Sequence, residues 1–104
     1  MDGELQLNTY VLIGNVLNYL LNGVRPGPEL AVPMAEILAL YAKIEPLKPN
    51  QILPGIAALG LEERELLGRC CRYCLQILDE SEAATLLGLP RELAVQVVMQ
   101  LNLS

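Results

Sequence analysis

Apolar residues recur along this chain at steps of three and four, the period of a helix with one buried face. Tyr10, Ile13, Leu17 and Leu20 are spaced in this way and predict a first helix from about Leu7 to Leu21, after a flexible segment of residues 1–6. Asn8, Asn15, Asn18 and Asn22 form an uncharged polar side, and Asn22-Gly23 supplies the stop. Val24-Arg-Pro-Gly-Pro28 reads as a turn, because closely spaced prolines cannot continue a helix. A second helix is expected from near Pro28, with Glu29 at its positive end, through Met34 and Tyr41 to about Ile44, and Pro33 is early enough either to be tolerated or to shift the start by a few residues. Pro46 and Pro49 end it. A short third helix covers about Asn50 to Leu59, with Ile52, Ile56 and Leu59 in one row and Pro54 near its first turn.

The fourth helix, Glu62 to Leu78, carries the stripe Leu67, Cys70, Cys71, Cys74 and Leu78, with Glu62, Glu63 and Glu65 at its amino end. Asp79 or Ser81 then caps a short helix to Leu87. A Gly88-Leu-Pro90 break precedes a last helix to about Leu101. No pair of alternating runs flanks a hairpin turn. The expectation is one all-α domain over residues 1–104, with five or six helices.

Composition sharpens this picture. The 104 residues are 53% hydrophobic and 18% charged, against about a quarter charged in an average domain, which excludes disorder. The apolar mass is aliphatic, with four Tyr and neither Phe nor Trp. A mean hydropathy of +0.38 is more than so small a domain hides readily, so part of the apolar surface is expected to face a partner. The balance of 7 basic against 12 acidic residues, net −5, disfavours nucleic acid and anionic membranes. The uncharged stretch Leu5 to Val24 has the length of a membrane span, but Gln6, Asn8, Asn15, Asn18 and Asn22 would be costly in hydrocarbon. It reads as an amphipathic helix.

Candidate chemistry is sparse. No histidine is present, which removes the commonest general base and the commonest metal ligand together. Cys71 and Cys74 form a Cys-x-x-Cys pair, but zinc would lack two ligands and a redox pair would want a helix amino terminus. Cys70, Cys71 and Cys74 are expected to pack as small hydrophobes in a reducing, cytoplasmic setting. The carboxylates at Glu62, Glu63 and Glu65 and at Asp79, Glu80 and Glu82 fall at helix ends, where capping explains them. Ser81 to Arg91 has the outline of a helix-turn-helix, but the following helix offers Leu93, Val95, Val97 and Val98, and Arg91 alone is basic. No cofactor, metal or enzymatic activity is expected.

The tyrosines carry a pattern. Tyr41 and Tyr73 lie 32 residues apart, Tyr19 precedes Leu-Leu-Asn-Gly23, and Tyr41 is followed by prolines. Together with Val16-Leu-Asn-Tyr-Leu-Leu-Asn-Gly23, Glu29 to Leu40 and Gly68 to Leu75, this resembles the small tetratricopeptide-like chaperones of type III secretion needle subunits. The middle departs from that pattern, since residues 46–60 are short and hold Pro49 and Pro54. The resemblance implies an array of helical hairpins with a concave apolar groove. That groove would hold an amphipathic helix of a secreted needle-type subunit, with a second small chaperone as a further partner. On this reading Tyr10, Ile13, Leu17 and Leu20 face Ile52, Ile56 and Leu59 across the groove; the alternative is that both rows are core. A different class of function also stands: a homodimeric regulatory or structural protein of anti-activator type, its apolar face closed on a second copy.

Overall fold

The computed structural model describes residues 2–23 and 30–103. The described residues form six α-helices: α1 Asp2–Asn18, α2 Met34–Ile44, α3 Ile52–Ala57, α4 Leu61–Ile77, α5 Glu80–Leu86 and α6 Arg91–Gln100. They include no strand. A π-helical turn, Tyr19–Gly23, extends α1, and a 3-10 turn, Pro49–Gln51, leads into α3.

Each boundary has a local cause. α1 begins at Asp2 and so takes in residues 2–6, expected to be flexible, and Leu5 packs against the core. α2 begins at Met34, later than Pro28 by the shift that Pro33 allows. Pro33 stands at its N-cap with extended backbone, φ −61° and ψ 139°, and a proline in the helix interior would break the hydrogen-bond ladder. The expected turn at residues 24–28 and the Pro28-Glu29 start lie outside the described residues. Asp79 caps α5: its Oδ1 accepts from the Glu82 amide at 2.7 Å, while the Asp79 amide donates to Glu82 Oε1 at 3.1 Å. Gly88 turns the chain between α5 and α6 at φ +76°, where side chains Val11 and Asn15 leave no room for a Cβ.

α1 is the hub. It packs against α2, α3, α4 and α6, and α4 also packs against α6. Leu12, Ile13, Val16, Leu17 and Leu20 are all fully buried, a double row far wider than the stripe of a surface helix. The first and last helices therefore touch. The radius of gyration of 12.4 Å agrees with the roughly 13 Å of a closed globule of this length. The all-α class and the count of five or six helices are as the periodicity predicts, and the helices pack around α1.

The carboxy-terminal segment is tied back onto α4. Arg64 donates to the Leu101 carbonyl at 3.0 Å, Arg72 donates to the Leu103 carbonyl at 2.6 Å, and Leu103 is buried. These guanidinium groups satisfy carbonyls that the end of α6 leaves without partners. No helix among the described residues is long and apolar enough to cross a membrane.

Candidate functional site

The two rows expected to form a groove are placed mostly in the core. Ile13, Leu17, Leu20, Ile52 and Ile56 are buried, and Leu59 is half-buried. α1 packs on α3 and on the preceding 3-10 turn, so the rows do come together, but as parts of the core cluster. The reason is that a core and a groove leave the same trace in a sequence. An apolar row at steps of three and four can be covered by its own chain or by another, and here α1 is wrapped by its own chain. Only Tyr10 stays on the surface, 39% exposed, because the buried face of α1 is rotated toward Leu12 and Val16.

Tyr10 instead belongs to a different groove, between α1 and α2. α2 returns along α1 so that Tyr41, Ile44 and Glu45 lie beside Tyr10, Val11, Gly14 and Asn15, with Ile52 at the edge, around a cavity of about 380 Å³. Gly14 leaves the floor low: a Cβ built there would meet nothing within 4 Å. Asn15 holds one side in place by donating to the Leu87 carbonyl at 3.0 Å. The same two helices carry further exposed apolar residues. Leu7 lies one turn before Tyr10, and Leu38 and Met34 lie one and two turns before Tyr41; these three are 55%, 57% and 42% exposed. The other large exposed apolar residues (Leu61, Ile77, Leu86 and Met99) sit apart on α4, α5 and α6. Among the described residues, α1 and α2 thus carry four of the eight large exposed apolar residues, Leu7, Tyr10, Met34 and Leu38.

A second cavity of about 370 Å³, between α2 and α4, is rimmed by Glu36, Glu62, Glu63 and Glu65, with Arg69 and Leu40. Lys43 pairs with Glu63 there, and that hydrogen bond holds the Glu63 carboxyl below its ordinary range. Glu62, Glu63 and Glu65 are at the amino end of α4, in keeping with their expected capping and dipole role, while Glu36 belongs to the first turn of α2.

The cysteines are inside. Cys70, Cys71 and Cys74 are free thiols, fully buried on α4. Burial pushes Cys70 up to about 11 and Cys74 to about 12, and Cys71 further still, so all three are protonated and unreactive at neutral pH. No group of acidic, cysteine or histidine residues that could hold a metal ion is found among the described residues.

The four described arginines are spent on the fold, which the sequence did not signal. Arg69 donates to the Leu30 carbonyl at 2.9 Å and Arg91 to the Leu75 carbonyl at 3.0 Å, beside the clamps made by Arg64 and Arg72. Arg91, the one basic residue of the helix-turn-helix outline, is thus a tie between α6 and α4, and Ala94, Val97 and Val98 of its helix are buried. Comparison with family models, with curated proteins and with solved structures finds no match to this chain.

Proposed function

We propose that this chain is a non-enzymatic adaptor that binds an amphipathic helix on the face formed by α1 and α2. The observation that carries the reading is the cavity over Gly14, lined by Tyr10 and Tyr41, between two helices that also carry the exposed Leu7, Met34 and Leu38. A helix laid along such a face inserts apolar side chains at i, i+3, i+4 and i+7. The sequence resemblance to needle-subunit chaperones supports a more particular version, in which the guest is an aggregation-prone helix of a secreted subunit, kept covered in the cytoplasm until export. Three free, buried thiols suit a reducing compartment. Net negative charge keeps a protein with an exposed apolar face soluble.

The test is binding of two labelled peptides, followed by fluorescence anisotropy. One is the carboxy-terminal helix of a type III needle subunit; the other is a generic leucine-rich amphipathic helix with lysines on its polar face. Gly14→Gln fills the groove while replacing a helix-interior glycine, and should weaken binding more than ten-fold with helical content unchanged. Leu38→Asp should do the same. Equal affinity of the Gly14→Gln variant overturns the reading. Binding of the generic helix but not of the needle helix removes the secretion assignment and keeps the adaptor. A dimer in sedimentation that Leu38→Asp splits puts a second copy on this face instead.

A further inference from the structure

The groove between α1 and α2 is not purely apolar. Two of the four tyrosines, Tyr10 and Tyr41, line it together with Glu45, and no described cation of the chain does so. Lys43 is turned to Glu63 on the other side of α2, Arg64, Arg69, Arg72 and Arg91 are bound to carbonyls, and the exposed Lys48, at the start of the 3-10 turn, does not line the cavity. Glu45 is exposed, with no ion pair among the described residues, and it is also the C-cap of α2. The negative end of the α2 dipole, with its last carbonyls, therefore falls at the same end of the cavity. Aromatic ring faces, a carboxylate and a helix carboxy terminus all attract a cation. The apolar side of the same cavity, Val11 and Ile44, suits the aliphatic stem of a long basic side chain.

We infer that this cavity takes a lysine or arginine side chain of the partner helix, its stem over Gly14 and its charged head between Tyr10, Tyr41 and Glu45. This rests on the reading that the face docks a helix, and it specifies that helix: apolar residues toward Leu7 and Leu38, and a basic residue at the level of Gly14. Charge complementarity with an acidic chain points the same way.

The experiment is a titration of the isotope-labelled full chain with N-acetyl-lysine methylamide and with N-acetyl-norleucine methylamide, which has the same stem without the ammonium. Amide signals of Gly14, Asn15 and Glu45 should shift with the lysine compound at about five-fold lower concentration than with the norleucine compound. Glu45→Gln and Tyr41→Leu should each abolish that preference, while Glu62→Gln, on the α2–α4 side, should retain it. The Glu45 change is at an exposed position, so a folding defect in Tyr41→Leu would leave the test intact. Equal response to the two compounds overturns the inference and leaves helix docking standing. A lysine preference that survives Glu45→Gln, or no response at these amides to either compound, overturns it as well. Failure of helix docking itself is read separately, from the Gly14→Gln peptide measurement.

Discussion

The carbonyl oxygen of Leu103 occupies the place where a side chain on Gly68 would have to go: a Cβ on Gly68 would lie 1.9 Å from it. Gly68 is buried in the middle of α4, where glycine is otherwise a poor helix residue, and the close approach explains its presence. The chain after α6 is pressed into this notch and held there by Arg64 and Arg72.

Gly68→Ala should therefore destabilise the fold, against its favourable effect on helix propensity. Backbone cannot yield as a flexible side chain does, so a loss of about 2 kcal/mol is expected in urea unfolding. Hydrogen exchange should show residues 101–103 released. A variant as stable as the parent would mean that the segment is not seated on α4.

Thr9 is the one buried polar side chain, fully enclosed on α1 with its hydroxyl unpaired among the described residues. A buried hydroxyl without a partner lowers stability, and Val has nearly its shape. Thr9→Val should leave the fold unchanged and raise stability by up to about 1 kcal/mol in urea unfolding. A clear loss would show that the hydroxyl has a partner in solution.

Leu17→Asp and Ile56→Asp separate core from groove. Both residues are closed inside the chain, so a carboxylate there has neither water nor a counter-charge. Circular dichroism should show loss of cooperative folding in both variants. Leu38→Asp, at an exposed position, should keep its helical signal.

The buried thiols predict the response to alkali. From an ordinary value of 9.0, burial raises Cys70 to about 11 and Cys74 to about 12, with Cys71 beyond them. Below about pH 8 all three are protonated in both states, and their contribution to stability is fully present. Above that, the unfolded chain releases protons that the folded chain keeps, so stability should fall, by at most about 1.4 kcal/mol per pH unit for each thiol. Replacing all three with Ala should flatten this dependence between pH 9 and 10.5, at a cost at neutral pH of about 1–2 kcal/mol per site.

Much of this molecule is determined by local sequence. Apolar spacing specifies the helices, Asp79 and Glu82 specify a cap, Pro33 marks the start of α2, and the stripe Leu67, Cys70, Cys71, Cys74 and Leu78 is buried as its period requires. These are interactions between residues a few positions apart, so they can be read without knowing the fold. What covers each apolar row is another matter. Ile13, Leu17 and Ile56 became core, and Tyr10 and Leu38 became surface, through the placing of α6 and α4 against α1. Asn15, one of a row of amides, is distinguished by a hydrogen bond to Leu87, 72 residues away. Gly68 needs Leu103, and the arginines need carbonyls at the ends of other elements. Contacts over such separations are set by the closing of the whole chain, which encloses Leu17 and Ile56 and leaves the cavity beside Tyr10 and Tyr41 open.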